Sequence, residues 1–188
     1  MDVYRARSSL VWGWLWVGLG LIFAGADVVA SGLSGANVGI GLGAGVAIVG
    51  VSVYLRPAVL IGADGVVFRN ILHTASARYA RIQEIRMRWS LEMVGDDGRK
   101  AGAFAVPASR SARTGVFDND APMPVRADDR EGQPNAVGSQ VYDAWRAWTD
   151  AHGGEGDRTT ASIRRQPDAV GIALMLVAGA ALAFAFLR

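Results

Sequence analysis

The residue types that most often carry enzyme chemistry are sparse in this chain. His73 and His152 are its only two histidines, and they lie far apart in the sequence, outside any cluster with metal-ligand spacing. The chain has no cysteine, which excludes disulfides, thiolate metal sites and a cysteine nucleophile. No P-loop, dinucleotide fingerprint or nucleophile elbow occurs. We therefore expect a protein that is not an enzyme and that holds no metal and no cofactor.

The acidic residues give one weak functional candidate. Asp27 is the only acid in a long apolar run, and an acid inside a membrane is a functional candidate by default. It lies near the end of the run, however, where an acid costs little, and a single acid without a partner makes a poor transport pathway. A small transporter component is therefore a minor alternative. Asp64, Asp96 and Asp97 are best interpreted as turn residues.

The arginines provide the candidate contact residues. The formal net charge is only +2, which gives no argument for nucleic-acid binding. An arginine can contribute about 1 kcal/mol when it lies near an anionic lipid surface. The alternative is a solvated arginine face in a protein that uses arginine for nearly all of its cations. The candidates for contact with lipid or with a protein partner are Arg69, Arg78, Arg81, Arg86 and Arg88.

Composition and hydropathy indicate a membrane protein with a modest polar part. Hydrophobic residues make up 51% of the chain, and the mean hydropathy is +0.23. Three apolar runs, Leu10–Ala30, Val38–Leu55 and Val170–Leu187, approach the roughly 20 residues that cross a bilayer core. The first run also allows a cleaved signal peptide, with Ala24–Ala26 as the cleavage site. We favour a span, because the run exceeds the usual apolar region of about 7–15 residues in a signal peptide.

The second apolar run carries glycines at helix-contact spacing. Gly39, Gly41, Gly43 and Gly45 form two overlapping GxxxG pairs, and glycine at this spacing lets another helix approach closely. One interpretation is a homo-oligomer contact through these four residues. The other is packing against the first span of the same chain, which we favour because GxxxG alone does not identify the partner.

The polar region begins with sharp structural signals. Arg56-Pro57 should stop the helix that arrives from the second run. Asp64-Gly65, between two apolar runs, predicts a hairpin whose turn has positive φ at both residues. Alternation of apolar and polar residues over Ile85–Met93 predicts one long strand. Gly95–Gly98 should turn this strand, and Arg99–Val106 should return as its partner.

The rest of the polar region should be a loop, a helix and a linker. Residues 107–134 are rich in Pro, Asp, Arg, Ser and Gly and predict a long loop. Val137, Val141, Trp145 and Trp148 recur at helical spacing, with Asn135 as the cap and Gly153 as the end. These tryptophans should pack on the open side of the sheet.

We therefore divide the chain into four parts. Residues 10–55 should form two transmembrane helices, and residues 56–152 a polar domain. Residues 153–166 should be a linker, and residues 167–187 a third transmembrane helix in which Pro167 occupies the first turn.

Positive charge predicts the orientation. Arg5, Arg7 and Arg56 flank the first two runs on one side, and Arg164 and Arg165 precede the third run, whereas the loop between the first two runs has no positive charge. Positive residues stay on the cytoplasmic side of membranes. We therefore expect a multi-pass protein of the inner (plasma) membrane with its polar domain in the cytoplasm.

Four short motifs resemble one family. Leu55-Arg56-Pro57, Asp64-Gly65-Val66, Arg69-Asn70 and Arg78–Ile82 are similar to motifs of a bacterial pleckstrin-homology-like (PH-like) domain family. This family occurs in small actinobacterial membrane proteins, including the low molecular weight protein antigen 6 group. The resemblance covers roughly residues 10–106, and its motifs are short. Tyr79 stands where the family commonly has tryptophan, and the 107–134 insert and the third span depart from its simplest members.

The resemblance implies a curved antiparallel sheet capped by a carboxy-terminal helix, with no known catalysis. The expected fold class is thus an α+β membrane protein. It has an amino-terminal transmembrane hairpin, a PH-like sheet domain with its helix, and one further transmembrane helix. We expect a non-enzymatic interaction or scaffold module at the cytoplasmic face, in contact with the lipid bilayer and with a membrane or cytoplasmic protein. Anionic-lipid sensing is the alternative, and no nucleic acid is expected.

Overall fold

The computed structural model describes residues 2–35, 37–87, 90–107, 134–153 and 161–187. The chain is an α+β protein with a helical amino-terminal region, antiparallel sheets and a carboxy-terminal helix. It divides into a sheet unit, Met1–Arg7 with Pro57–Gln166, and a helical unit, Ser8–Arg56 with Pro167–Arg188. The helices are α1 (Arg7–Gly35), α2 (Asn37–Gly50), α3 (Pro134–His152) and α4 (Ala169–Phe186). The strands are β1 (Asp2–Tyr4), β2 (Ala58–Ile61), β3 (Gly65–Arg69), β4 (His73–Arg78), β5 (Ile82–Met87), β6 (Ser90–Gly95), β7 (Lys100–Pro107) and β8 (Ile163–Pro167).

The helical unit contains three helices that are long and apolar enough to cross a membrane. They are α1, α2 with the π-helical turn Val51–Leu55 that continues it, and α4. The second helix ends just before Arg56-Pro57, as predicted. The uncharged loop expected between the first two runs, Ser31–Asn37, coincides in part with a break in α1. Gly32 has a non-helical backbone conformation, with a φ of 70° that favours glycine, and helical residues resume after it and continue to Gly35.

Close helix packing uses the four glycines of α2 on two faces. Gly43 lies against Gly20 of α1, where an added Cβ on Gly43 would collide with the Gly20 carbonyl oxygen. Gly45 lies against Leu182 of α4, where a Cβ would come within 2.5 Å of the leucine Cγ. Gly39 likewise faces α1 and Gly41 faces α4. The packing of α2 against α1 that we favoured is thus present. The same glycine-bearing helix also packs against α4. An oligomer through these glycines stays untested and would have to displace α1 or α4.

The sheet unit contains two antiparallel sheets that share one hydrophobic core with α3. The first sheet has the strand order β1-β2-β3-β4-β8, and the second has the order β5-β6-β7. Phe68, Tyr79, Leu91 and Met93 are fully or almost fully buried in this core. From α3, Val137 and Val141 are buried, while Trp145 and Trp148 pack half-buried against the cluster. The predicted apolar stripe of this helix is therefore confirmed as core.

The β2–β3 hairpin is present, but its predicted turn geometry is wrong. No residue other than glycine has positive φ in the described chain, and Gly65 itself does not have one. Gly62–Asp64 form the connection instead, and the Gly62 amide donates to the Gly65 carbonyl oxygen at 2.9 Å. Glycine is required at position 65 for another reason, since a Cβ there would collide with the Ala77 carbonyl oxygen.

The single long strand predicted over Ile85–Met93 is wrong, because two strands occupy this stretch. β5 and β6 pair antiparallel, with Ile85 opposite Met93 and Met87 opposite Leu91. All four positions have odd numbers, so the apolar alternation passes unbroken through the reversal. Arg88 and Trp89 lie outside the described residues. The following turn is confirmed, with φ of 77° at Gly98.

Two further expectations need correction, and one strand was not predicted at all. The predicted linker 153–166 contains the start of β8, and Pro167 ends this strand rather than beginning a helix. The first residues form a strand, β1, which pairs with β2. Asn135 lies inside α3, which begins at Pro134, although the helix does end before Gly153, whose φ is 62°. Most of the predicted 107–134 loop lies outside the described residues.

The first sheet has two distinct ends. β1, β2 and β8 are each separated by only one or two residues from α1, the π-helical turn and α4. Tyr4, Ala58 and Arg69 mark the end at which these helices join, here called the helix end. Ile61, Gly65 and Arg78 mark the opposite end, here called the far end. The residues of β1, β2, β3 and β4 can thus be placed relative to these two ends from the strand register.

Candidate functional site

The five arginines predicted as contact residues do not form one surface. Arg69 and Arg78 both point outward from the first sheet, but the register places them at opposite ends. Arg69 is opposite Thr74 at the helix end, whereas Arg78 is opposite Gly65 at the far end. Of these two arginines, only Arg69 therefore lies at the helix end.

The prediction that Arg81 is a contact residue for lipid or a protein partner is corrected by the structure. The residue is only 6% exposed, and its Nε donates to both carboxylate oxygens of Asp96, at 2.8 and 3.0 Å. This geometry makes Arg81 an internal ion-pair partner that holds the 3₁₀ turn after β4 to the turn after β6.

Arg86 is paired with Glu84 at 2.6 Å, and its hydrogen bond lowers the pKa of that carboxyl group. Arg88 lies outside the described residues.

An open groove of about 590 Å³ lies at the far end of the first sheet. We call it the far groove. Arg78 and Arg164 contribute exposed cationic side chains to it, and Asp64 contributes a carboxylate. Its lining includes outward-facing positions of β3 and β4, such as Val67 and Ser76, together with Ala161 and Ser162. The groove therefore combines small apolar and hydroxyl groups with cations at its margin.

A second concavity of about 420 Å³ lies on the other side of β8. It is lined by Arg99, Lys100, Ile163 and Arg165. The Arg165 guanidinium donates to the Lys100 carbonyl oxygen at 2.6 Å, which joins β8 to the beginning of β7. Together, the exposed cations of this concavity and of the far groove form what we call the basic rim: Arg78, Arg99, Lys100, Arg164 and Arg165.

The start of β8 is held by one carboxylate. Ser162 donates from its Oγ to Asp97, and its amide donates to the same carboxylate at 3.3 Å. The Arg99 amide also donates to Asp97, at 3.1 Å. The Ser162 hydrogen bond is the main cause that lowers the pKa of Asp97 to about 2. A Cβ at Gly95 would collide with the Ser162 Oγ, so glycine is required for this contact. We call the contact between Asp97 and Ser162 the Asp97–Ser162 clamp. It fixes the start of β8, and Arg164 and Arg165 follow Ser162 closely in the chain.

The titratable groups elsewhere in the sheet unit have structural contacts. Burial raises the pKa of Tyr79 to about 12, and its hydroxyl donates to the Gly62 carbonyl oxygen at 3.2 Å. His73 lies 3.2 Å from the Asn70 amide nitrogen, and His152 stacks on Trp148 with ring centroids 4.7 Å apart. Within the described ranges, no group of three His, Cys, Asp or Glu residues is placed to hold a metal ion.

Asp27 also has local partners. Its carboxylate accepts hydrogen bonds from the Gly39 amide at 2.6 Å and from the Ser31 hydroxyl at 3.1 Å. Gly39 lies in the first turn of α2, where backbone amides lack partners within the helix. Asp27 therefore caps α2 from the neighbouring helix, which accounts for an acid in this apolar run.

Sequence reasoning missed most of the basic rim. Arg99 and Lys100 follow a turn, and Arg164 and Arg165 precede the third apolar run, where they were used only to predict orientation. The available signal was the Arg-Arg pair just before a span, since juxtamembrane cations mark lipid or partner contacts. The proximity of this pair to the turn after β6 is set by the Asp97–Ser162 contact, which joins residues 65 positions apart.

Comparisons with known proteins provide no relative. No protein-family model matches the chain, and neither a curated protein nor a solved structure matches it.

Proposed function

We propose that this chain is a membrane-anchored, non-enzymatic interaction module at the cytoplasmic face of the inner membrane. Its PH-like sheet unit holds an acidic segment of a partner protein in the far groove. The observation that carries the proposal is the position of the basic rim. Five exposed cations from β4, β7, β8 and the turn before β7 gather around two concavities at the start of β8.

Anchoring is supported by the three long apolar helices and by their short connections to the sheet. α1, α2 and α4 each have the length and hydropathy of a membrane span. Only one or two residues separate each helix from a strand in the chain, so each strand follows or precedes a candidate span directly. Positive charge favours the cytoplasmic side, since Arg5, Arg7 and Arg56 flank the connections.

The PH-like assignment is supported by architecture. Two antiparallel sheets of five and three strands share a core, and α3 follows β7 in the chain and packs on that core. The motif resemblance implied one curved antiparallel sheet capped by a carboxy-terminal helix. The strands are instead divided between two sheets, and the part that supports the proposal is the packing of α3 on their shared core. Lipid sensing through the five arginines chosen from the sequence loses support, because Arg81 is internal and Arg69 and Arg78 lie at opposite ends.

The charges of the far groove favour an acidic protein segment. Arg78 and Arg164 face the groove, and Arg99, Lys100 and Arg165 lie beyond β8. The acids among them are Asp64, which lines the groove, and Asp97, which is occupied by Ser162 and Arg99. Cations thus outnumber acids in the lining of the groove, and a concavity with an excess of positive charge attracts acidic ligands and increases their association rate.

The test compares two exposed arginines that differ only in location. Arg164→Glu places a negative charge in the far groove, and Arg146→Glu makes the same change on the exposed side of α3. The full chain is cross-linked in its native membranes and purified in detergent. We expect a reproducible acidic protein with wild type and with Arg146→Glu, and its loss with Arg164→Glu. Recovery of no protein, or of the same protein from all three chains, would overturn the proposal.

A further inference from the structure

Large apolar side chains are rarely exposed in the described part of the sheet unit. Those that are exposed are Val3 at 53%, Leu72 at 49% and Phe104 at 52%. Leu72 lies in the β3–β4 turn, and Phe104 lies on β7, where its neighbour Ala103 is buried and Phe104 points outward. Two of the three exposed side chains thus belong to segments that come together in space.

Asn70 joins these two segments. Its side-chain amide donates to the Gly102 carbonyl oxygen at 3.0 Å and accepts from the Phe104 amide at 2.7 Å. The Asn70 backbone amide donates to the His73 carbonyl oxygen at 2.9 Å and closes the turn that contains Leu72. Asn70 is only 5% exposed, so these bonds are shielded from water. Leu72 and Phe104 are therefore presented from one rigid end of the fold, and we call this pair the apolar tip.

The strand register places the apolar tip at the helix end. Arg69, the last residue of β3, is opposite Ala58, the first residue of β2. Ala58 follows the helical residue Leu55 by three positions, so an extended chain places their Cα atoms at most about 11 Å apart. The turn 70–72 starts one residue beyond Arg69 on the neighbouring strand, which lies about 4.8 Å away. If the helix ends at the membrane surface, the tip lies within reach of the headgroup layer.

We infer that Leu72 and Phe104 insert into the headgroup layer of the same bilayer that α1, α2 and α4 cross, an inference that rests on the proposed insertion of these helices. Aromatic and aliphatic side chains gain free energy when they bury their apolar parts at this level. Arg69 ends the strand that leads into the tip, and Arg5 and Arg7 lie in the chain between β1 and the body of α1. Their charge complements anionic headgroups. The sheet unit is thus attached to lipid by its own surface as well as by its covalent connections.

The test measures depth in the bilayer at single positions. The chain has no cysteine, so Leu72→Cys, Phe104→Cys, Ala63→Cys and Leu21→Cys can each carry one environment-sensitive fluorophore. Each labelled full chain is placed in nanodiscs, one chain per disc, with phospholipids that carry a quencher in the headgroup region or in the acyl chain. Ala63 is the control, because it is exposed in the β2–β3 connection at the far end of the same sheet. Leu21 lies within α1 and reports insertion of the helix.

We expect blue-shifted emission and strong headgroup-level quenching at residues 72 and 104, and neither at residue 63. Emission at residues 72 and 104 that matches residue 63, with acyl-chain quenching at residue 21, would overturn the inference and leave the anchoring intact. Absence of acyl-chain quenching at residue 21 would overturn the anchoring itself. If the emission of a tip label shifts to the blue only when two chains share a disc, a second copy of the chain covers the tip. This result would also overturn the inference.

Discussion

The Arg56 guanidinium and the Asp168 carboxylate form an ion pair at 2.6 Å, although 112 positions separate them in the sequence. Arg56 caps the π-helical turn that continues α2, and Asp168 is the N-cap of α4. The same carboxylate accepts a hydrogen bond from the Gly171 amide at 3.2 Å. Both side chains are largely buried, with 15% and 10% exposed. One carboxylate therefore fixes the beginning of α4 and its position beside α2.

Removing this carboxylate should destabilise the helical unit. Asp168→Ala loses the cap and leaves the Arg56 guanidinium without its carboxylate partner, which together should cost about 3 kcal/mol or more. Asp168→Asn keeps an oxygen that can accept from Gly171 and should lose less. Thermal unfolding of the full chain in detergent, followed by circular dichroism, gives the order wild type, Asn, Ala. Asp143→Ala, at an exposed position of α3, is the control, and equal melting of all variants would contradict this role for Asp168.

The Asp97–Ser162 clamp should make the sheet unit sensitive to acid. Because the folded pKa of Asp97, about 2, lies below its usual value of 3.8, the ionised carboxylate stabilises the fold above pH 3.8. This contribution is lost as the pH falls from 3.8 towards 2. Ser162→Ala removes the main cause of the shift, so the pKa of Asp97 should rise and stability should depend less on pH in this window. Titration of the Asp97 carboxyl by NMR measures the shift, and an unchanged pKa in Ser162→Ala would refute the assignment.

Gly43 should tolerate no side chain, whereas Gly18 should. A Cβ at Gly43 would collide with the Gly20 carbonyl oxygen, whereas a Cβ at Gly18 would meet nothing within 4 Å. Gly43→Val should push α1 away from α2 and destabilise the helical unit by about 1–3 kcal/mol, the usual range for overpacking. Gly18→Val is the matched control on a side of α1 with open space and should leave melting near that of wild type. If the two variants melt alike, α1 and α2 do not pack through Gly43.

The orientation can be checked by labelling single cysteines with an impermeant maleimide. Ser34→Cys lies near the end of α1, away from the sheet connections, and Ala63→Cys lies in the exposed β2–β3 connection. If arginine retention holds the sheet unit in the cytoplasm, Ser34→Cys should react in intact cells and Ala63→Cys only after the membrane is opened. The reverse pattern would place the sheet unit outside and would end the proposal of a cytoplasmic module.

Local signals in the sequence were sufficient for part of this fold. Pro57 ended a helix because it cannot donate a hydrogen bond, and the spacing of Val137, Val141, Trp145 and Trp148 marked the buried face of α3. β1 and β8 were not predictable in the same way. Asp2–Tyr4 and Ile163–Pro167 are short, mostly exposed segments that become strands through pairing with β2 and β4. Their extended conformation depends on partners that no local window contains.

The candidate site depended even more on distant contacts. Arg81 looked like the other arginines in sequence, and only the folded chain brings Asp96 within 2.8 Å of it. The basic rim needed the Asp97–Ser162 contact to bring β8 beside the turn after β6. The split between β5 and β6 was hidden because a reversal that preserves residue parity leaves the apolar alternation unchanged. Periodicity reports which face a side chain occupies and says nothing about where the chain reverses.

The pairing of β1 with β2 sets a requirement for biogenesis. β1 precedes α1, and β2 follows α2, yet Val3 and Leu60 are opposite each other in one sheet. If α1 and α2 cross a membrane, both strands must lie on the same side of it, which demands an even number of crossings between them. A chain in which the translocon inserted only one of these two helices could not form this strand pair. Cleavage after Ala26 would likewise remove β1 together with Gly20, the residue of α1 against which Gly43 packs. In the proposed membrane protein, pairing of the edge strand β1 would therefore require the insertion of both helices of the hairpin.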